Sequence, residues 1–169
     1  ILSITDQVID SVMRDLGPLL VKERGLHVAI NLAARDVSSG RFLPGLEAAL
    51  HKAGVQQNQI WLEATERGFL DIDAARATVN HARELGYLAA IDDFGTGFSS
   101  LQHLQRLPLD VLKIDKSFVD NIEQDAATGS VTGHIIEMAK SLQLKIVAEG
   151  IETEAQRDYL RANGVHFGQ

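Results

Sequence analysis

The sequence predicts an α/β fold, a single domain built on parallel β-strands. Short apolar runs of about five residues alternate with longer stretches of helical period, which is the pattern of repeated strand and helix units. With 169 residues the chain is long enough for one hydrophobic core, and 45% hydrophobic and 23% charged residues are typical of a globular domain. Six strands in strict alternation with helices suit either a doubly wound sheet or a (β/α)8 barrel, although a complete barrel takes about 250 residues.

The first half of the chain predicts three helices and three strands in alternation. Helices are assigned where apolar residues recur every three or four positions and where glycine or proline marks an end. Thr5 is the candidate cap of the first helix, and Pro18 is expected to kink it. Strands are assigned to the short apolar runs between the helices. In chain order the predicted elements are a helix over 6–23, a strand over 27–32, a helix over 42–53, a strand over 60–64, a helix over 73–85 and a strand over 88–92.

The second half continues the alternation after a loop rich in glycine and serine. Its last helix begins after Thr153, a favourable capping residue, and ends before Gly164, the residue type expected just past a helix. The final residues are apolar enough to begin another strand. In chain order the predicted elements are a short helix over 100–106, a strand over 111–115, a helix over 131–142, a strand over 145–149, a helix to about 163 and a strand over 165–169.

Composition and charge exclude several classes of protein. The chain has no cysteine, which excludes a disulfide framework and any thiolate metal site. The longest apolar runs are far shorter than the roughly 20 residues of a membrane-spanning helix. Sixteen basic and 23 acidic residues give a net charge of -7, so a basic groove for DNA is not expected. An anionic substrate would need a cation to mediate its contact with so many carboxylates.

Polar residues stand at the C-terminal ends of the first five predicted strands. They are Asn31, Glu63, Asp92, Asp93, Lys113, Asp115 and Glu149. In a parallel barrel these ends converge on one rim, where active sites lie, and buried carboxylates there need a cation to neutralise them. The oxygen donors, with neither cysteine nor histidine among them, favour Mg²⁺ or Mn²⁺ over zinc. Adjacent carboxylates such as Asp92 and Asp93 can flank two metal ions about 4 Å apart, the usual arrangement for attack on a phosphate.

Three other interpretations of these residues stay open at this point. A single acidic residue after a strand is usually part of a turn or a helix cap. Lys113 is equally compatible with a solvated side chain or a structural salt bridge, although its place inside an apolar VLKI run favours a site-facing role. A lysine in such a position can also form a Schiff base with a carbonyl substrate, as in aldolases.

Six motifs occur in the chain in a fixed order: NLAARDV from Asn31, LEATE from Leu62, IDDFGTGFSSL from Ile91, LKIDKSFV from Leu112, VAEGIET from Val147 and the terminal FGQ. Together they resemble the successive motifs of EAL domains, the phosphodiesterases that hydrolyse cyclic di-GMP. The resemblance covers nearly the whole chain. It implies a (β/α)8 barrel of the TIM type with one antiparallel strand pairing near its start, and about six of the eight strands are present here.

This resemblance implies an activity that depends on Mg²⁺ or Mn²⁺, with two ions at the site. Asn31, Glu63 and Asp92 would hold one ion. Asp92 would bridge to the second ion, which Asp93 and Glu149 would help to bind. Such cations would also explain how an acidic protein binds a dianion.

The same resemblance implies a catalytic set of Lys113, Glu149 and Gln169. Lys113 would orient or activate the attacking water, and Gln169 would contact that water or the metal. Glu66 matches the glutamate that anchors the DDFGTG loop, and Glu152 matches a further acidic position near the site. The reaction would open one phosphodiester of cyclic di-GMP to give linear pGpG. The alternative is a catalytically inactive receptor that binds cyclic di-GMP and passes a signal to attached domains.

The Glu-Ala-Leu segment that names the family is missing from the chain. Residues 1–169 are therefore expected to be one EAL-type domain truncated at both ends, inactive by itself and part of a longer multidomain protein. Sensory or GGDEF-type domains are candidates for the attached parts, and the loop Phe94–Ser100 is the candidate surface for a homodimer. We expect a cytoplasmic location, with anchoring of the parent protein to the inner membrane by other domains left open.

Overall fold

Strands and helices alternate along the chain in a computed structural model, which describes residues 4–69, 71–95, 105–122 and 126–169, except for the side chains of 126–130. Within these ranges the strands are β1 (Val28–Asn31), β2 (Ile60–Thr65), β3 (Leu88–Phe94), β4 (Val111–Ile114), β5 (Lys145–Ala148) and β6 (Phe167–Gly168). The α-helices are α1 (Ile4–Asp15), α2 (Gly17–Lys22), α3 (Ala34–Ser39), α4 (Leu43–Ala53), α5 (Ile72–Glu84), α6 (Lys116–Asp120), α7 (Ala126–Ser141) and α8 (Glu154–Ala162). Short 3-10 turns cover Gln57–Gln59 and Glu66–Phe69.

The chain divides into two compact units, one of Ile1–Ala89 with Arg106–Pro108 and one of Ala90–Gln105 with Leu109–Gln169. In the first unit β1 pairs in parallel with β2, which places Asn31 opposite Glu63 at the ends of the two strands. In the second unit the strand order is β3-β4-β5-β6, and each neighbouring pair is parallel. The predicted α/β fold with parallel strands is confirmed.

The core of the first unit rests on one face of α4. Leu43, Leu46 and Leu50 recur every three or four residues, and each is at most 1% exposed. They belong to one apolar cluster with Ile30 of β1 and Ile60 of β2. Burying each of these side chains stabilises the fold by about 1.5–3 kcal/mol. This packing holds β1 and β2 in place and thereby the polar residues at their ends.

The predicted helix over 6–23 is two helices, which is more than the kink expected at Pro18. Pro18 lies in the first turn of α2. Backbone N–H groups in a first turn have no partner within the helix, so the N–H that proline lacks costs no hydrogen bond there. Thr5 does not cap the first helix as predicted, because it lies inside α1. Its hydroxyl donates to Asp36 Oδ2 at 2.7 Å and so ties α1 to α3.

A buried amide satisfies the backbone at the end of α2. Gln59 is 1% exposed, and its Nε2 donates to the carbonyl oxygens of Leu20 at 2.8 Å and Leu26 at 3.0 Å. The last carbonyls of a helix have no partner within the helix. Gln59 supplies one from the turn that precedes β2, which fixes the chain between α2 and β1 against β2.

The third strand is longer than predicted and is irregular near its end. β3 runs to Phe94 rather than to residue 92, and its pairing with β4 shifts register between Ile91 and Phe94. Asp93 within this irregularity has a φ of 52°, in the left-handed region. In a regular strand the neighbouring side chains of Asp92 and Asp93 would point to opposite faces. The irregularity removes that constraint.

Asp115 is a helix cap and not part of the fourth strand as predicted. β4 ends at Ile114, and Asp115 Oδ1 accepts a hydrogen bond from the Ser117 backbone N–H at 2.9 Å. Asp115 is the N-cap of α6. Neither α6 nor α3 was predicted from the sequence. Both helices are too short to show apolar periodicity.

Several other boundaries differ from the predicted ones. α7 begins at Ala126 rather than at residue 131, and the last strand contains Phe167 and Gly168 where 165–169 was predicted. Most of the helix predicted over 100–106 lies outside the described residues. Thr153 caps α8 as predicted, since its side chain accepts from the Gln156 N–H. Across the part of the chain that the structure describes, no helix combines the length and the apolar character needed to cross a bilayer.

Candidate active site

Three carboxylates converge at the ends of two strands in the second unit. Asp92 and Asp93 lie in the irregular part of β3, and Glu149 directly follows β5. One oxygen of each lies within 4.8 Å of the others, close enough to hold a metal ion together. Among the described residues, no other group of three acidic or histidine side chains brings its ligand atoms within 4.8 Å of one another. An all-oxygen donor set fits a hard divalent cation such as Mg²⁺ or Mn²⁺.

Lys113 lies between two of these carboxylates. It is the third residue of β4, and its side chain is 7% exposed. Its Nζ lies 2.9 Å from Asp92 Oδ1 and 2.5 Å from Glu149 Oε1. One ammonium opposite three carboxylates leaves an excess of negative charge in a partly buried place, which favours the binding of a further cation.

Burial raises the pKa of the Asp93 carboxyl, and the charges of Asp92, Asp115 and Glu149 raise it further, while Lys113 opposes them. The direction follows from like charges held close together in a place with little solvent. The Asp93 backbone N–H donates to Asp92 Oδ1 at 3.1 Å, which stabilises the neighbouring carboxylate. The three acidic groups thus repel one another and are restrained by the fold.

The first unit carries two more of the predicted ligands. Asn31 and Glu63 are opposite each other in the parallel register of β1 and β2. Glu63 is 4% exposed, whereas Asn31 is exposed. A side-chain amide oxygen and a carboxylate on adjacent strands are both oxygen donors suited to a hard cation.

The three remaining predicted residues have distinct surroundings. Glu66 is 7% exposed and begins the 3-10 turn after β2. Glu152 Oε1 accepts a hydrogen bond from Lys116 Nζ at 2.6 Å. Gln169 is exposed, and its backbone joins the end of β5, because its N–H donates to the Ala148 oxygen at 2.9 Å. Residues 96–100 of the loop predicted to form a dimer surface lie outside the described part of the chain.

Lys116 was not among the residues that the sequence analysis selected. It follows Lys113 by three positions and bonds both Asp120 at 3.0 Å and Glu152 at 2.6 Å. In the sequence, Lys116 lies in a DKS segment and its partner Glu152 lies in an EGIE segment further along the chain. The sequence does not show that these two segments are neighbours, because that depends on the pairing of the strands before them.

Comparison of the chain with models of known protein families identifies its family. A family model described as EAL domain matches residues 1–169 of the chain. The chain belongs to the EAL domain family. Membership of this family explains why the six sequence motifs resemble those of EAL domains.

Relatives and solved structures of this EAL domain agree with the assignment. It is 46% identical over 162 residues to the probable cyclic di-GMP phosphodiesterase PdeB of Escherichia coli (strain K12), covering 96% of this chain and 31% of that protein. It is 33% identical to the PaMucR phosphodiesterase solved in complex with c-di-GMP, with a TM-score of 0.87 over 96% of this chain and 67% of that one. The EAL domain of Mycobacterium smegmatis DcpA is 29% identical with a TM-score of 0.91, covering 99% of this chain and 76% of that one.

These comparisons confirm the predicted fold class, a TIM-type barrel fold. The chain spans less than a third of the length of PdeB, 31%.

Proposed function

We propose that this EAL domain, within its complete protein, hydrolyses one phosphodiester bond of cyclic di-GMP to give linear pGpG. The observation that carries the proposal is the buried Lys113 ammonium held between Asp92 and Glu149, beside a third carboxylate from Asp93. The names of the relatives support the substrate, since PdeB is described as a probable cyclic di-GMP phosphodiesterase and PaMucR was solved with c-di-GMP.

We propose that Asp92, Asp93 and Glu149 hold divalent cations, two Mg²⁺ or Mn²⁺ ions in the complete site. Asn31 and Glu63 would add an amide oxygen and a carboxylate to the ligand set. A bound divalent cation supplies Lewis-acid stabilisation of phosphoryl oxygens and a lowered pKa for a coordinated water. The excess negative charge of the cluster would otherwise repel a phosphodiester.

The chain's own residues would bind, orient and restrain the reactants. The Lys113 ammonium would donate a hydrogen bond to the attacking water and bring positive charge to the phosphate. Gln169 would orient that water through its amide, and Glu149 would accept a hydrogen bond as well as bind a cation. Glu66 and Glu152 would hold the neighbouring loops. In the overall reaction one water adds across one P–O bond, so that the phosphorus gains a hydroxyl oxygen and the leaving ribose oxygen gains a proton.

We also propose attached domains, a homodimer and a cellular location for the longer protein. The chain spans 31% of PdeB, and attached sensory or GGDEF-type domains would pass signals to the EAL domain in a longer protein. A homodimer through the Phe94–Ser100 loop and a cytoplasmic location remain proposals, as does anchoring of the whole protein to the inner membrane.

The test is hydrolysis of cyclic di-GMP by the product of the full-length gene, with Mg²⁺, Mn²⁺ or EDTA, followed by identification of the product. Conversion to pGpG that EDTA abolishes supports the proposal. Tight binding of cyclic di-GMP without turnover in Mn²⁺ would replace it with the receptor function. Trapping of a carbonyl substrate on Lys113 by borohydride without metal would replace it with Schiff-base chemistry. The Lys140→Met variant, which removes an exposed lysine of α7, should keep full activity.

A further inference from the structure

The turn that follows Glu149 lies against the side chain of Lys116. Gly150 has a φ of 68°, and a Cβ built at this position would lie 2.7 Å from Lys116 Cδ and closer still to Cγ. Only glycine combines this left-handed conformation with so close an approach. The stem of Lys116 therefore packs directly on the backbone of the residue next to Glu149.

The ammonium group of Lys116 binds the same turn. Its Nζ lies 2.6 Å from Glu152 Oε1 and 3.0 Å from Asp120 Oδ1. Asp120 is the last residue of α6 and Lys116 is the first, so the ammonium joins one helix to the turn after β5. These charges raise the pKa of Lys116, chiefly through the hydrogen bond to Glu152. Lys116 stays a cation at neutral pH.

Other contacts restrain the far side of this turn. The Ile151 N–H donates to the Gln169 oxygen at 3.1 Å, and the Glu152 N–H donates to Gln156 Oε1 at 2.8 Å. Toward β4, where Lys113 lies, the Glu149 N–H donates to the Ile114 oxygen at 3.1 Å, and Lys116 adds the side-chain contacts to Gly150 and Glu152. Lys113 and Lys116 are three residues apart on the segment that leaves β4.

We propose that Lys116 is a positioning residue for Glu149, whose carboxylate it keeps against Lys113 and within the Asp92–Asp93 cluster by holding Gly150 with its stem and Glu152 with its ammonium. The proposal rests on the proposed function for its catalytic consequence, although its structural part does not. The ion pairs of Lys116 are about half exposed, and such pairs contribute only about 0–1 kcal/mol to stability. Groups that orient metal ligands have larger effects on metal affinity, about 10–100-fold.

The chain offers a matched control in Lys140. This lysine also forms an exposed ion pair, to Glu137 at 3.0 Å, and its stem also lies near a left-handed glycine, since a Cβ on Gly164 would be 3.2 Å from Lys140 Cε. Its side chain is 41% exposed, compared with 46% for Lys116. Lys140 lies on α7, and its contacts with Glu137 and Gly164 lie outside the turn after β5.

The experiment compares Lys116→Arg, Lys116→Met, Lys116→Ala and Lys140→Ala in the full-length protein. Arginine keeps the stem and the charge, methionine keeps the stem, and alanine keeps neither. Mn²⁺ affinity measured by titration calorimetry should fall about 10-fold or more in Lys116→Ala. It should fall less in Lys116→Met, and it should stay within about threefold of the wild type in Lys116→Arg and Lys140→Ala. Thermal midpoints of the two alanine variants should be similar.

A crystal structure of Lys116→Ala grown without metal decides the structural part independently. The turn over 149–152 should move and the contact between Lys113 Nζ and Glu149 Oε1 should lengthen beyond hydrogen-bond distance. An unmoved turn, or Mn²⁺ affinity equal in Lys116→Ala and the wild type, overturns the inference. Failure of the wild type to bind Mn²⁺ or to hydrolyse cyclic di-GMP would count against the proposed function, and the crystal structure would still decide the role of Lys116.

Discussion

Lys113 and Glu149 form an ion pair across two neighbouring parallel strands, with 2.5 Å between Nζ and Oε1. The register explains the contact. Lys113 is opposite Val147, and Glu149 lies two residues further along, so that its side chain emerges on the same face of the sheet. The two charged groups therefore meet because of strand pairing and not because of flexible side chains.

Replacing Lys113 by methionine should abolish most of the hydrolysis of cyclic di-GMP while cation binding persists. Methionine fills a similar volume but removes the charge and the donors that would orient water, which is expected to lower kcat by about 100-fold or more. The measurement is kcat in saturating Mn²⁺ together with Mn²⁺ affinity by calorimetry, with Lys140→Met as the matched control. Turnover at the wild-type rate with metal bound would show that Lys113 has no catalytic role.

Replacing Asp92 by asparagine should weaken cation binding and hydrolysis together. The change removes one carboxylate from the cluster and from the ion pairs of Lys113, whose pair with Glu149 would persist. We expect at least a 10-fold loss of Mn²⁺ affinity and a comparable or greater loss of kcat. Asp158→Asn makes the same change of charge on the exposed face of α8 and should alter neither quantity. A fully active Asp92→Asn variant would contradict the proposed metal site.

Much of this site could be predicted from the sequence because strand ends in a parallel fold meet at one edge. Asp92, Lys113 and Glu149 were selected on that ground, and they are in contact. The same rule selected Asp115, which instead caps α6. A capping carboxylate and a site carboxylate look identical in the sequence, because both follow an apolar run. The difference depends on a backbone N–H two residues later, which only the fold brings into place.

The breaks in regular structure were harder to predict than the elements. The sequence of β3 does not show that Asp93 takes a positive φ, since aspartate adopts that conformation more often than most residues but still in a minority of cases. The helices α3 and α6 escaped prediction because five or six residues cannot display helical periodicity. Longer elements such as α4 and α5 were found within one or two residues, with glycine marking their ends.

Replacing Tyr87 by phenylalanine should stabilise the fold and remove part of its sensitivity to alkaline pH. Tyr87 is 2% exposed, and among the described residues its hydroxyl is a buried polar atom without a hydrogen-bond partner. Removing it is expected to raise the free energy of unfolding by about 1 kcal/mol at neutral pH.

Burial, followed by the charge of Glu47, raises the pKa of Tyr87 from 10.0 to about 12. Below pH 10 both the folded and the unfolded chain keep the phenolic proton. As the pH rises from 10 toward 12, the unfolded chain loses that proton while the folded chain retains it, so the free energy of unfolding falls. Urea unfolding across this interval should show a steeper fall in the wild type than in Tyr87→Phe. Equal slopes in the wild type and in Tyr87→Phe would refute the assignment.

Replacing Gly150 by alanine should disturb the cluster more than the same change at Gly164. Both glycines have positive φ, 68° and 77°, so the backbone cost of about 1 kcal/mol is shared. At Gly150 the new Cβ would collide with the Lys116 stem, whereas at Gly164 it would meet only the flexible end of Lys140. Thermal unfolding and Mn²⁺ titration of the two variants measure the difference. Equal metal affinity in both would argue against coupling between Gly150 and the carboxylates.

Asp92 and Glu149 have two carboxylate oxygens each, and Lys113 Nζ lies against one oxygen of each pair. Under the proposed function the other oxygen of each would face a divalent cation, so that the lysine and the cation would share the two carboxylates. Lys113 would then act as a counter-ion built into the fold, which offsets part of the negative charge of the cluster and orients its carboxylates before any cation binds.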